Sequence, residues 1–550
     1  MSTHTPGPAA EPAVAMTHRE VLEALSGLLL AMFVAMLSST VVSNALPAIV
    51  TDLHGSQTGY TWVVVATLLS MTATTPLWGK LADLFSKKVL VQSALVIFSI
   101  GSLVAGFAPS MEVLIGARVV QGVGVGGLTA LVQVVIATMV SPRERGRYSG
   151  YLGAVFALAT VSGPLIGGVI VDTPGLGWRW CFFVGLPVAV LAFVVLQKTL
   201  HLPVVKRDVQ IDYLGATLIV AGISLLLVWV SLAGNQFAWV SGWTALLVIG
   251  GLAVVAAAIW VEARVPVPVI PLRLFKDRTT ALATAASVLI GLAMFGATVY
   301  LSQYYQLARG MSPTRAGLMS VTLVGGLFVS SIVSGRTITR TGRWKRWLVS
   351  GMVLVVIGLA LLGTIDETTH LAVVGVFTMV LGAGLGMTMQ NLVLAVQNNT
   401  QQSDMGAASA VVAFFRSTGG SIGVSALGAM FSHQVSDKVS AGLARMGIET
   451  DGTQSHSIPD LKSLPAPVRE LFESAYGSSI GEIFLVAVPF AVLALVAILL
   501  IREVPLRTSN LPEAGEPTEE AEPSEETGPR EETGPTAGTA TVSPAGAGAR

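Results

Sequence analysis

Cysteine is all but absent, Cys181 being the only one in 550 residues, and this excludes an intramolecular disulfide and a thiolate metal site. The seven histidines fall in the tails or in expected loops, so no metal is expected. Charge is also scarce, at 12% of residues where soluble proteins carry roughly 25%. Every Asp and Glu lies in a tail, in a loop or within a few residues of a helix end, so no carboxylate stands at mid-membrane depth. With no clustered Cys, His or Asp in the apolar segments and no soluble sensor domain, a membrane enzyme or receptor is disfavoured. No cofactor and no nucleic-acid partner are expected. What abounds is apolar: 52% hydrophobic residues and a mean hydropathy of +0.71 predict an all-α, polytopic membrane protein whose principal partner is the lipid bilayer.

A hydrocarbon core about 30 Å thick needs roughly 20 apolar residues per helix. The chain offers fourteen such segments, from 27–49 to 481–501. An even number puts both termini on one side. The connections at 80–89, 140–147, 198–211, 262–279 and 336–346 carry eighteen Lys and Arg, and the opposite connections, with Arg315 at the edge of the tenth span, carry seven. The positive-inside rule therefore predicts cytoplasmic termini in a cytoplasmic membrane. The polar, Pro/Ala-rich start has no short apolar core with a cleavage site, so the first span is expected to be retained. From Thr508 the chain is Pro- and Glu-rich with a net charge of −7, which predicts a disordered tail. The exterior segment 432–480 mixes apolar and charged residues near its end, which predicts a short surface helix leading into the last span.

The chain repeats itself weakly. GKLADLFSKK (Gly79 to Lys88) follows the second span, and GRTITRTGRWKR (Gly335 to Arg346) follows the tenth. Six plus two plus six spans is the simplest architecture. It divides the chain into a cytoplasmic segment (1–26), a first six-helix bundle (27–197), a linker region with two extra membrane helices (198–279), a second bundle with its exterior loop (280–501) and the acidic tail (502–550).

Three motifs recur at matching spacings. Gly79, Leu81, Asp83, Lys87 and Lys88 fit G-x-L-x-D-x-x-x-[KR]-[KR], Arg118 and Gln121 open RVVQGVGVGG, and Gly163, Pro164, Gly167 and Gly168 fit G-P-x-x-G-G. In this order, with WRWCFF, IDYLG and FFRSTGGSIG, they resemble the major facilitator superfamily, specifically its fourteen-helix drug:proton antiporter branch. The resemblance runs from about Leu28 to Val504. It implies a two-bundle fold with two additional central helices. It also implies proton antiport, a conformational latch at Gly79, Asp83, Lys87 and Lys88, and a bent fifth helix at Gly163 to Gly168 that shapes a seal between the bundles.

One departure bears on coupling. Relatives often carry an acid in helix one, whereas this chain reads LSSTVVSNALP, with Ser38 in that place. Glu112, Asp172 and Asp83 remain as rim acids able to carry a proton. Arg118 and Arg416 lie within spans, where a buried cation costs about 2.5–3.5 kcal/mol or more, so each is expected to face an aqueous cavity or a partner. The substrate cavity is expected to draw on Ser38, Ser39, Gln121, Tyr300, Gln303, Tyr304, Gln390 and Asn391. An interfacial aromatic belt of Tyr300, Tyr304 and Tyr305 is the competing reading. The expected function is a monomeric exporter of lipophilic or amphiphilic small molecules, drugs or antibiotics, driven by proton entry. The alternative is export of one endogenous metabolite or lipid with different coupling.

Overall fold

The computed structural model describes residues 18–54, 57–173, 175–200, 212–233, 237–266, 268–401, 404–446 and 465–507. The start of the chain, most of the connection at 198–211 and the acidic tail from 508 lie outside the described residues, as do the side chains of Pro164 and Asp172. The described residues are helical and contain no β-strand. Among the described residues, fourteen helical segments are long and apolar enough to cross a membrane.

The helices are α1 (His18–Asp52), α2 (Gln57–Leu84), α3 (Lys87–Gly106), α4 (Met111–Met139), α5 (Pro142–Asp172), α6 (Trp180–Phe183) and α7 (Leu186–Thr199). Then come α8 (Tyr213–Leu232), α9 (Gly242–Glu262), α10 (Arg278–Gln303), α11 (Pro313–Met319), α12 (Val321–Thr341), α13 (Lys345–Leu362), α14 (Leu371–Asn399), α15 (Met405–Arg445) and α16 (Ala466–Leu500). The sixth span joins α6 to α7, the ninth joins α10 to a π-helical turn at Tyr304–Ala308, and the tenth joins α11 to α12.

Side-chain oxygens set several starts by accepting an N–H that the first turn leaves without an intrahelical partner. Ser110 does this at Val113, Asp212 at Gly215, Ser241 at Thr244 and Asp277 at Thr280. At the end of α12, Gly342 takes a left-handed φ of 70°, which a side chain would strain.

The buried apolar residues separate as the two-bundle architecture requires. Two clusters hold α1–α7 together, between Val21 and Leu200, and one large cluster holds α10–α16, between Leu274 and Leu506. The α8–α9 pair has its own small cluster of Ala216, Ile219, Ala258 and Val269, backed by Leu77 of α2. Central in the chain, this pair lies at the edge of the fold. Trp243, Leu246, Ile249 and Trp260 of α9 are exposed, as suits a lipid-facing helix.

The segment before the last span differs from expectation. At about 1.5 Å per residue, α15 with its 41 residues spans about 60 Å, twice the hydrocarbon core. The expected surface helix is instead the first turns of a continuous α16 that begins at Ala466. The projecting ends hold each other: Lys438 Nζ donates to Ser478 Oγ and Glu482 Oε1, both at 2.9 Å, and Tyr476 packs between Phe431 and Phe472. Of the charged residues that made this segment read as surface, Glu482 serves this pairing, while Arg469 and Glu473 pair along α16 itself.

Candidate functional site

The glycines of RVVQGVGVGG explain how α4 reaches the middle of its bundle. A Cβ on Gly122 would stand 2.0 Å from Ser70 Oγ, and one on Gly126 would stand 2.6 Å from the Met71 carbonyl oxygen, so α2 lies backbone-close to α4. Arg118 and Gln121, one turn apart, thereby enter the bundle interior. Arg118 Nε donates to the Val63 carbonyl at 3.2 Å, and its Nη1 donates to Gln121 Oε1. Gln121 Nε2 donates to Ser38 Oγ at 2.9 Å and Ser102 Oγ at 2.8 Å. The serine at the place of the absent helix-one acid thus belongs to a neutral, hydrogen-bonded group around a buried guanidinium.

Arg118 opens onto a cavity of about 150 Å³ between the bundles. Ser38, Ser39, Gln121, Gln390 and Arg416 line it as well, with Thr67, Gln133, Ser331 and Ser417 among its other polar walls. Met32, Met36, Met71, Met294 and Met389, with Phe156 and Phe295, are among its apolar walls.

Other expected residues lie elsewhere. Tyr300 is buried and donates its hydroxyl to the Val424 carbonyl at 2.6 Å, and Tyr304 donates to the Asp366 carbonyl at 2.7 Å. They stitch the second bundle internally, and with Tyr305 they are buried rather than forming an interfacial belt. Gln303 and Asn391 are likewise absent from the cavity wall, Asn391 being buried against Ser334 and the Met387 carbonyl. Glu112 is exposed at the start of α4, far along the helix from Gln133, and does not line this cavity. Only the backbone of Asp172 is described, so its part in coupling lies outside the described side chains.

At the face carrying the basic loops, the bundles are fastened together. A Cβ on Gly79 would fall 2.2 Å from Ala410 Cβ and 2.7 Å from the Gly406 carbonyl oxygen, so α2 meets the first turn of α15 with no room for a side chain. One turn on, Asp83 accepts the N–H groups of Gly406 at 2.8 Å and Ala407 at 3.0 Å. An aspartate from one bundle thus caps a helix of the other, where the positive end of the helix dipole favours a carboxylate. Lys80 is buried nearby and interacts electrostatically with Asp83 and Asp404. Lys88 turns away, donating to the Gln197 carbonyl at 2.7 Å within its own bundle. Lys87 also acts electrostatically on Asp83.

Residues the motifs did not single out complete this fastening. Arg145 donates from Nη1 to Gln397 Oε1 at 3.0 Å, and Gln133 Nε2 donates to Gln390 Oε1 at 3.0 Å. Burial pushes the Arg145 guanidinium down to about 9, which leaves it charged at neutral pH. Arg273, in the linker, grips Asp404 through Nε and Nη2 at 2.7–3.1 Å. Their partners lie more than 130 residues away, and no local pattern marks them.

The GPxxGG helix is continuous through Pro164, and α5 runs unbroken from Pro142 to Asp172. A Cβ on Gly163 would sit 2.1 Å from Thr40 Oγ1, so this face closes against α1 within the first bundle. Gly167 is buried and Gly168 half-buried on the same helix. The helix also crosses to the second bundle: Gly153 faces Ser331 and Leu327 of α12, and α5 packs against α11 as well. The motif's expected seal between bundles is thus, at Gly163, a joint inside one bundle.

A last polar cluster lies at the base of the extra helices. Asp212 Oδ2 and Glu262 Oε1 are buried without hydrogen-bond partners among the described residues, and both crowd Gly215, at 2.2 and 2.6 Å from where its Cβ would be.

A cavity between two helical bundles, with a clasp at one face, defines a membrane transporter, not an enzyme. The Major Facilitator Superfamily model matches residues 28–424, and the chain belongs to that superfamily, within its drug-efflux branch. It is 34% identical to an uncharacterized MFS-type transporter of Mycobacterium tuberculosis, over 90% of this chain and 71% of that one. It is 33% identical to the efflux pump dotC of Dothistroma septosporum (88% of this chain, 84% of that one). It is also 33% identical to the multidrug transporter protein MdtP of Bacillus subtilis (80% and 78%). The fold matches the proton:xylose symporter XylE with a TM-score of 0.55 over 86% of this chain and 96% of that one, at 14% identity.

Proposed function

We propose that this chain exports lipophilic or amphiphilic small molecules across the cytoplasmic membrane by alternating access, as a monomer with both termini inside. The observation that carries the reading is the polar-walled, Met-rich cavity between two bundles clasped at the basic face. Methionines adapt to varied shapes, which suits a broad substrate range. The cavity, at about 150 Å³, is smaller than the roughly 300–1,000 Å³ of drug-sized sites, so loading requires the bundles to part. The name borne by the efflux pump dotC supports efflux as the direction, and that of MdtP supports a broad substrate range. The eighteen-to-seven asymmetry of basic residues supports a cytoplasmic clasp.

Proton entry is the proposed drive, a proton crossing 100 mV releasing about 2.3 kcal/mol. Asp83 is the proposed coupling group, because it joins the two bundles and a proton gained or lost there changes the clasp it forms. The lack of a carboxylate in the cavity wall favours a second reading, export of one endogenous metabolite or lipid with other coupling. Accumulation of a compound panel in cells, with and without a proton uncoupler, tests both. Broad, uncoupler-sensitive exclusion supports the first, and uncoupler-insensitive handling of a single compound class supports the second.

A further inference from the structure

The charge of the cavity is one-sided. Its wall includes two arginines, Arg118 and Arg416, and no Asp, Glu, His or Lys. Arg118 gives Nε and Nη1 to neutral acceptors, the Val63 carbonyl and Gln121 Oε1. Arg416, in the middle of the thirteenth span, makes no hydrogen bond or ion pair among the described residues. The acids of the neighbouring helices are committed elsewhere: Asp83 to the α15 amides, Asp404 to Arg273, and Asp212 and Glu262 to the base of α8 and α9. Arg145 and Lys80, the other buried cations near the clasp, add positive charge. Two guanidiniums at membrane depth with no counter-charge form a site that an anion completes.

We infer that the transported molecule is an amphiphilic anion, its carboxylate, sulfonate or phosphate held by Arg416 and by Nη2 of Arg118, which donates to no acceptor among the described residues, and its apolar body seated on Met36, Met71, Phe156 and Phe295. The inference rests on the export reading and narrows it to one charge class. It also gives the missing helix-one acid a reason. A carboxylate beside Arg118 would neutralise the anion site, whereas Ser38 and Gln121 hold the guanidinium in place and leave its charge for the ligand. An anion leaving a negative interior moves down the electrical gradient, so its export needs no acid in the cavity to gain from the membrane potential.

The test uses the full-length chain, purified and reconstituted in liposomes, with three probes sharing one aromatic body: an arylsulfonate, the aryltrimethylammonium and the neutral arylamide. Binding is read by fluorescence and flux by quenching of released probe. The expected result is at least tenfold preference for the sulfonate, with flux that rises with an interior-negative potential in right-side-out molecules. Arg416→Gln is expected to weaken sulfonate binding by about 10- to 100-fold, the loss of one charge-assisted contact, and to leave the neutral probe unchanged. Arg416→Lys, which keeps the charge and the fold, should recover part of the loss. Equal or better transport of the ammonium or neutral probe overturns the anion inference and leaves export standing. Arg416-dependent sulfonate binding without flux keeps the anion site and overturns export. Binding and flux of none of the three overturn both.

Discussion

Replacing Asp83 with Asn probes the clasp with almost no change of shape. The wild-type carboxylate accepts two N–H groups at 2.8 and 3.0 Å at the start of a 41-residue helix. Asn retains one acceptor oxygen, loses the charge that the helix dipole favours, and points an amide N–H₂ at a second N–H donor. A hydrogen bond to a charged group contributes about 1.5–3 kcal/mol, and a dipole contact in a partly buried setting adds up to about 2. Allowing for the remaining bond and for the lighter desolvation of a neutral amide, Asp83→Asn should cost the clasped state about 1–2 kcal/mol, a shift of roughly 5- to 30-fold in its ratio to the open state. Spin labels on Val89 and Thr341, exposed at the ends of α3 and α12 on the basic face, report this separation in a Cys181→Ser background. Pulsed dipolar spectroscopy should show a longer-distance population in Asp83→Asn that is minor in the wild type. Identical distance distributions in both proteins would refute the assignment of Asp83 as the clasp.

The joint at Gly163 should tolerate nothing larger than hydrogen, because a Cβ there stands 2.5 Å from Thr40 Cβ; Gly163→Ala is expected to lose about 1–3 kcal/mol of stability, read by thermal unfolding in detergent, and Thr40→Gly should recover part of it. Glu262→Gln turns one of the two unpartnered oxygens, Glu262 Oε1, into an N–H donor beside the other, Asp212 Oδ2, and a gain of about 1 kcal/mol is expected; unchanged stability would mean the pair already shares a proton. Hydrogen bonds from Trp178 and Arg179 hold the Asp52 carboxyl below its usual range, so this contact stabilises above the ordinary carboxylate range and is lost as pH falls below it. Because the pair is about half exposed, Asp52→Asn should cost no more than about 1 kcal/mol at pH 7, and the gap to wild type should close below pH ~4.

The spans were readable because a membrane helix must be apolar for its whole length, a signal no loop imitates. Where helices leave the bilayer that constraint lapses, and the mixed apolar and charged residues before the last span read as a loop and a surface helix, although Lys438 and Glu482 there pair the extended ends of α15 and α16. Motif spacing carried Arg118, Gln121 and Ser38 because they meet through neighbouring spans of one bundle. The tyrosines of α10 show the limit of such reasoning. Their i, i+3, i+4 spacing establishes a shared face, but which neighbour that face meets is a tertiary fact, and here it is the interior of the second bundle. Gln133 with Gln390 and Arg145 with Gln397 were unreadable for the same reason, each pair joining residues some 250 positions apart.

The central claim is that substrate passes through the cavity between the bundles on its way out. Inside-out membrane vesicles expose the clasp face to the medium if the basic loops are cytoplasmic, and energising them should load a fluorescent amphiphilic anion into the lumen. Ser39 lines the cavity and is half-buried, so Ser39→Trp should fill it. The account predicts energised accumulation with the wild type and its loss with Ser39→Trp at equal protein level. Accumulation at the wild-type rate with the cavity filled, or none with the wild type, would contradict it.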